Sequence, residues 1–238
     1  MKYTWATATD VGHLRDNNED AVAPADDGSG PGPVVIAVAD GMGGHAAGEL
    51  ASRVAIDAAT EGTPAATDMA GRVQRANAAV LAAVDEDPGV AGMGTTLTIG
   101  AFDRNGTLHI GHVGDSRLYV MRGTLLDQVT ADHTWVMDLV ARGQISQEDA
   151  ATHPRKHLLS RVVGMAGVQA DEIEYALEPG DRVLWCSDGL TTLVHDSAIA
   201  QIMNDAETPS AAAWALVEAA NAGGGVDNTT VAVVDVSA

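Results

Sequence analysis

Four aspartates of this 238-residue chain fall where apolar, strand-like runs end, begin or break. Asp40 ends one run and Asp188 follows another, and each directly precedes a glycine. Asp227 precedes the last run, while Asp115 lies in a tight break between two more. If these strands are neighbours, the carboxylates meet at sheet ends and repel one another unless cations lie between them. Because carboxylate, carbonyl and water oxygens are the ligands of hard ions such as Mg²⁺ and Mn²⁺, the pattern indicates a divalent-cation site.

An ordinary turn is the alternative for each of these aspartates. An Asp-Gly pair is typical of a turn, and for any single pair the turn is the preferred interpretation. Only the joint placement of the aspartates beside apolar strands favours metal binding. Spacing along one sequence does not determine whether they converge in space.

The elements that must position these side chains are predicted from apolar periodicity. The run 34–39 is β-branched and bounded by Pro33, which predicts a buried strand. Apolar residues spaced by three and four then predict one helix over 47–62 and a second over 68–84. Further strands are predicted at 95–102, 108–113, 118–121, 125–129, 182–186 and 229–236, and further helices at 133–142, 197–204 and 210–222.

The order of these elements predicts the fold class. Strands in adjacent hairpins, with helices arriving in pairs, favour an α+β fold of two mostly antiparallel β-sheets covered by helices over a parallel βαβ array. The length suits a single domain over residues 1–238. The stretch 26–33 is of low complexity and is predicted to be a loop.

Composition excludes several classes of partner. The chain has 33 acidic and 13 basic residues, and its net charge of -20 would repel nucleic acid and anionic membranes. No apolar run approaches the ~20 residues of a membrane span, and no signal segment is recognisable, so we expect a soluble, cytoplasmic protein. The only cysteine, Cys186, lies in an apolar run and is expected to be a buried small residue rather than a nucleophile.

A series of short motifs extends over nearly the whole chain. In order they are GHLRDNNED at 12–20, VADGMGGH at 38–45, GTT at 94–96, GHVGDSR at 111–117, LSRVVG at 159–164, CSDGLT at 186–191 and DNTT at 227–230. The series resembles the bacterial branch of the PPM family, the type 2C metal-dependent serine/threonine phosphatases. Any one motif is weak evidence, whereas the set in this order is highly specific.

The resemblance implies a four-layer αββα sandwich with two mostly antiparallel sheets flanked by helix pairs. It also implies Mn²⁺ or Mg²⁺, two ions per chain and a third, weaker ion. By position, the ligands are Asp40, Asp188 and Asp227 for the first ion, Asp20, Asp40 and the Gly41 carbonyl for the second, and Asp115 with Asp188 for the third.

Other site residues follow from the same resemblance. Glu19 is expected to lie behind the ligands and support them, and Arg15 to receive the substrate phosphate, which a guanidinium fork fits well. His45 matches a histidine usual in bacterial members. It is either a general acid or phosphate hydrogen bonder, or only the cap of the helix that begins there.

A segment of about 130–165 occupies the place of the family's mobile flap beside the active site. Within it, Ser160 and Arg161 are candidates for substrate contact, although an ordinary exposed pair is equally consistent with the sequence. His157 stands where relatives often have asparagine, so a substrate role is not carried over to it.

The function implied is removal of phosphate from phosphoserine and phosphothreonine in proteins. A water between two cations would attack phosphorus, with no covalent intermediate. The substrates would be phosphoproteins made by separate serine/threonine kinases, and we expect a monomer. A non-catalytic binding module is the second hypothesis, but no expected metal carboxylate is missing. A phosphatase with an aspartyl nucleophile is the third, and the run from Asp40 to Met42 lacks the Asp-x-Asp pair that it needs.

Overall fold

The computed structural model describes residues 1–44, 46–62 and 67–238. The strands, in chain order, are β1 (Lys2–Asp10), β2 (Asp20–Ala23), β3 (Gly28–Gly30), β4 (Val34–Met42), β5 (Gly94–Thr95), β6 (Leu97–Phe102), β7 (Thr107–Val113), β8 (Arg117–Arg122), β9 (Leu125–Gln128), β10 (Asp171–Ala176), β11 (Arg182–Cys186) and β12 (Thr229–Ser237). The helices are α1 (Ala46–Thr60), α2 (Met69–Glu86), α3 (Trp135–Ala141), α4 (Gln147–Thr152), α5 (Asp188–Thr191), α6 (Asp196–Asp205) and α7 (Pro209–Ala222), with a 3₁₀ turn at Pro88–Val90.

The strands form two sheets in which neighbouring strands are antiparallel. The first sheet has the order β3-β1-β12-β11-β8-β9. The second has the order β10-β7-β6-β4-β2, with β5 paired to the end of β4. Strands from the two ends of the chain, β1 and β12, pair along their whole length in the middle of the first sheet.

Three apolar cores separate four layers. The central core lies between the sheets, where the ring of Trp185 meets Phe102 edge-on at 5.6 Å beside Ile36, Leu118 and Val234. A second core joins the outer face of the second sheet to α1 and α2. The third joins the first sheet to α6 and α7. The architecture is therefore an αββα sandwich, which confirms the predicted fold.

Local sequence signals explain where the helices begin. The side chain of Asp68 accepts a hydrogen bond from the amide of Gly71 at 2.8 Å and caps α2. Thr208 caps α7 in the same way, and Pro209 occupies its first turn, where no amide hydrogen is needed. The helix predicted over 133–142 begins two residues late, at Trp135, because Thr134 is its cap.

Strands β1, β2 and β10 were missed by the sequence analysis, and the predicted 26–33 loop contains β3. In β1 the buried residues Tyr3, Ala6 and Ala8 do not alternate strictly, so the period of two is broken. Strand β3 can pair with β1 because Gly28 has no side chain, since a Cβ at this position would collide with the indole ring of Trp5. No helix in the described ranges is long and apolar enough to cross a membrane.

Two tryptophans test the central core. Trp185 is fully buried between the sheets, whereas Trp214 on α7 is 49% exposed. Trp185→Ala is expected to lower the free energy of unfolding by about 3–5 kcal/mol, because it leaves a cavity, and Trp214→Ala by less than about 1 kcal/mol. Urea unfolding of both variants measures the difference. Equal losses would contradict a core centred on Trp185.

Candidate metal centre

Strand pairing brings the predicted ligands together from both sheets. Asp20 and Asp40 face each other in the register of β2 and β4, at one end of the second sheet. In the first sheet, Asp188 follows β11, and Asp227 precedes β12, the neighbouring strand. A cavity of about 330 Å³ opens between the sheet ends. Its lining includes Asp40, Asp115, Asp188 and Asp227, together with Arg15, Glu19 and Gly41.

The charges of these carboxylates act on one another. Burial, with repulsion from Asp188 and Asp227, raises the pKa of Asp20 to about 7 despite a hydrogen bond from Ser187. Burial also raises the pKa of Asp40 well above its usual range, and the other four site aspartates add to the shift, Asp20 most of all. For Asp115, burial and then the charge of Asp188 raise the pKa to about 7. Asp20, Asp40 and Asp115 thus lie in one region where burial and the charges of neighbouring aspartates disfavour their ionised forms.

The donor set fits a hard cation. One oxygen of Asp20, Oδ1, is buried and has no hydrogen-bond partner in the described part of the chain, while Oδ2 accepts from Ser187 Oγ at 2.7 Å. The carboxylates do not form a closed cage by themselves, since no three or more described His, Cys, Asp and Glu side chains stand at ligand spacing. Waters and backbone carbonyls would have to complete the coordination, as is usual for Mg²⁺ and similar ions.

Arg15 lies at the mouth of this cavity. Its Nη2 donates to Asp227 Oδ2 at 2.7 Å, and its side chain remains 48% exposed. One cation of the chain itself therefore already balances part of the negative charge. A cation bound at Asp227 would therefore compete with the guanidinium for the charge of this carboxylate.

Glu19 and Gly41 are packed where the first helix meets the sheet. The amide of Gly41 donates to the Glu19 carbonyl at 3.1 Å. A Cβ at Gly41 would collide with the Gly48 carbonyl, and a Cβ at Gly48 would collide with the Glu19 carboxylate. The two glycines therefore let α1 approach β4 closely enough to enclose Glu19, a position consistent with its predicted supporting role.

Residues beside the aspartates tie the loops together, and the sequence analysis assigned them no role. Thr96 Oγ1 accepts from the amide of Asp40 at 2.8 Å and bonds Ser116 Oγ at 2.7 Å, which links the segments that carry Asp40 and Asp115. Asn228 accepts from the amide of Glu19 at 2.8 Å and donates to two carbonyls of the 11–17 segment. Thr96, Ser116 and Asn228 all lie within the motifs quoted above. Their positions in those motifs were the sequence signal from which a supporting role could have been predicted.

A buried histidine pair joins the flap segment to this framework. His112 is fully enclosed, and burial lowers its pKa to about 3, so its ring is neutral. The Ala131 carbonyl, 3.1 Å from Nε2, can only accept, so Nε2 carries the proton and Nδ1 is an acceptor. The Thr98 hydroxyl lies 2.9 Å from Nδ1 and 3.0 Å from the Ser116 carbonyl, so its one hydrogen is shared between these two acceptors. His133, whose ring lies 4.6 Å from that of His112, exchanges hydrogen bonds with Gly114, next to Asp115.

Of the other residues considered in the sequence analysis, some line the cavity and some do not. His45 lies outside the described residues. Ser160 and Arg161 are half-buried rather than an exposed pair, because Arg161 Nη1 donates to Asp171 Oδ1 at 2.6 Å and the amide of Ser160 donates to the His133 carbonyl. Neither lines the cavity. His157 does, with Nδ1 3.8 Å from Asp188 Oδ2, although the sequence analysis carried no role over to it.

The sequence is similar to those of known bacterial serine/threonine phosphatases. The sequence model of the protein phosphatase 2C family matches residues 12–218. The chain is 40% identical to the serine/threonine protein phosphatase PstP of Mycobacterium tuberculosis, covering 98% of this chain but 45% of that protein, so it spans about half the length of this relative. It is 37% identical to the serine/threonine phosphatase stp of Listeria monocytogenes, covering 95% of this chain and 93% of that protein.

A solved structure shares the fold closely. The catalytic domain of PstP in complex with two manganese ions superposes with a TM-score of 0.87 at 38% identity, covering 100% of this chain and 99% of that one. An identity this high over the whole length supports the fold and the family together.

The pKa shifts predict how pH affects the protein after chelation of divalent ions. Asp20 has a pKa of about 7 when folded against 3.8 ordinarily, so between those values the folded state binds more protons than the unfolded state. The stabilising contribution of Asp20 to the free energy of unfolding is therefore fully present below about pH 4 and is lost as pH rises through about 7. At pH 8, Asp20→Asn should unfold with a free energy higher than that of the chelated wild type, by about 1 kcal/mol or more.

Urea unfolding at pH 5 and pH 8 measures this effect, with the exposed Asp57→Asn on α1 as the matched control. The advantage of Asp20→Asn should shrink at pH 5 and should be absent for the control. If Asp20→Asn were less stable than the wild type at pH 8, ionised Asp20 would not destabilise the folded state, which would contradict the prediction.

Proposed function

The chain belongs to the protein phosphatase 2C family, and we propose that it is a metal-dependent phosphatase that hydrolyses phosphoserine and phosphothreonine in proteins. The observation that carries this proposal is the meeting of mutually repelling carboxylates from both sheets in one cavity with an arginine at its mouth. Such a site suits a dianionic phosphate monoester once cations are present.

The cations proposed are Mn²⁺ or Mg²⁺, two per chain, with a third and weaker ion. When bound, they would acidify a water and balance the charge of the transferring phosphoryl group. The relative PstP, crystallised with two manganese ions, supports Mn²⁺. The proposed ligands are Asp40, Asp188 and Asp227 for one ion, Asp20, Asp40 and the Gly41 carbonyl for another, and Asp115 with Asp188 for the third.

Arg15 is the proposed phosphate-binding residue. In its present position it neutralises Asp227, and release from that carboxylate would leave a planar fork of N–H donors at the cavity mouth. The fork would orient the phosphate oxygens and stabilise charge as it develops on them. Arginine in this role discriminates against uncharged esters.

A nucleophile from the protein is not part of the proposal. The thiol of Cys186 is fully buried, and burial raises its pKa to about 12, so it is neither ionised nor accessible. No second aspartate stands two positions after Asp40, as an aspartyl-phosphate mechanism would need. Attack by water on phosphorus is therefore the mechanism that the described residues support best.

The substrates proposed are phosphoproteins, as the names of the relatives imply for those proteins. Separate serine/threonine kinases would supply them. We also propose a monomer that acts in the cytoplasm and a substrate-facing flap at about 130–165.

Activity on a phosphothreonine peptide tests the proposal directly. Phosphate release should require Mn²⁺ or Mg²⁺, stop on addition of chelator and return with excess ion. Asp40→Asn should lower kcat/KM by at least about 100-fold, because it removes a charge that both ions are proposed to share. Asp57→Asn, the same change on the exposed face of α1, should match the wild type. Absence of turnover with every divalent ion would refute the proposed function.

Competition between Arg15 and a cation for Asp227 makes a second prediction. Arg15→Ala removes the internal ion pair, so Mn²⁺ measured by calorimetry should bind more tightly, by a few fold, while kcat/KM for the peptide should fall by about 100-fold. Arg53→Ala, which breaks an exposed pair with Glu49 on α1, is the matched control and should alter neither quantity. Unchanged Mn²⁺ affinity in Arg15→Ala would show that the two cations do not compete.

A further inference from the structure

A second, larger cavity adjoins the candidate metal centre. Its volume is about 720 Å³, within the usual range for ligand-binding pockets. Asp115, His157 and Asp188 line both cavities, so the two spaces share a wall. Its other walls come from the 128–157 segment, which includes α3 and α4, and from the region of α5 and the start of α6.

Most negative charges on the wall of the second cavity are already engaged. Asp132 receives three hydrogen bonds from the Arg117 guanidinium, at 2.9, 3.2 and 2.7 Å. Asp196 accepts from the Tyr119 hydroxyl at 3.1 Å. The two carboxylates shared with the metal centre, Asp115 and Asp188, are proposed cation ligands. Among these acidic wall residues Asp132 is therefore neutralised by Arg117, whereas Asp196, whose partner is a neutral hydroxyl, keeps its negative charge.

Two basic side chains on the same wall are not engaged. Lys156 and His195 are both exposed, and within the described ranges neither side chain has an ion pair or a hydrogen bond. His195 is the residue before α6, but its side chain does not cap the helix. Both are thus available to a negatively charged ligand.

The composition of the chain makes this placement informative. The chain has two lysines, Lys2 and Lys156, and a net charge of -20. One of the two stands beside the proposed reaction site, in a molecule whose overall field repels acidic peptides. A contact at a few ångströms is screened less by salt than that overall field, whose range is about 8 Å at physiological ionic strength.

We propose that the second cavity binds the substrate polypeptide beside its phosphorylated residue and selects an aspartate or glutamate there through Lys156 and His195. This inference rests on the proposed phosphatase function and names a substrate class for it. The apolar part of the wall, with Val136, Met137 and Ala150, would pack against the backbone and side-chain stems of the same segment.

Paired peptides test the inference on the full chain with Mn²⁺. Each pair shares one phosphothreonine and differs only by Glu or Gln at a single position, scanned through the four residues on either side. On one side of the phosphothreonine, Glu should raise kcat/KM about 3- to 5-fold over Gln, the size expected of a partly exposed ion pair. Lys156→Gln should lower this ratio to about 1–2, the remainder being the contribution of His195, and Lys156→Glu should invert it.

Lys2→Gln is the matched control, because it removes the same charge at the start of β1, outside both cavities, and it should keep the wild-type ratio. A ratio of one at every position in the wild type, or a Glu preference that survives in Lys156→Glu, overturns the inference. Continued hydrolysis of the Gln peptides in those cases would leave the proposed function standing. Failure to hydrolyse any of the peptides would contradict both the inferred acidic preference and the proposed phosphatase function.

Discussion

The two sheets hold aspartates against one another at a cost in electrostatic energy. Asp20 and Asp40 are fixed by the pairing of β2 with β4, and Asp188 and Asp227 by the neighbouring strands β11 and β12. Apolar packing between the sheets keeps these strand ends together, so the carboxylates cannot separate without disrupting the central core. Burial raises the pKa values of Asp20 and Asp40, and the charges of the neighbouring aspartates raise them further. Because these carboxylates are costly to ionise without a nearby positive charge, a divalent cation that supplies this charge would bind favourably.

Neutral groups hold the charged ones in place. Thr96 and Ser116 connect the backbone at Asp40 to the loop of Asp115, and His112 connects the same region to the flap segment. Because these hydroxyl and imidazole groups are buried and paired, they add rigidity without adding further charge. Preorganisation of this kind limits the reorganisation needed when cations and phosphate arrive. Repulsion among the site carboxylates destabilises the folded state, and apolar packing in the three cores offsets this destabilisation.

The sequence predicted the layers and the ligands unevenly. Long periodic elements such as α1, α2 and α7 were predicted almost to their ends, because apolar spacing and caps such as Asp68 are local signals. Strand β1 was missed since its small and polar residues become a central strand only through pairing with β12, which is distant in the sequence. Spacing alone also left a turn as the alternative at each aspartate, and the motif series supplied what periodicity lacked. Contacts such as Arg15 with Asp227 depend on side-chain geometry that no local pattern encodes.

Divalent cations are proposed to bind where the two sheets bring these aspartates together. Anomalous scattering from a crystal grown in Mn²⁺ tests this proposal most directly. We expect two peaks in the smaller cavity, both within about 2.0–2.6 Å of Asp40 oxygens, one shared with Asp20 and the other with Asp188 and Asp227. A cavity without anomalous peaks at saturating Mn²⁺, or peaks bound only by other residues, would contradict it.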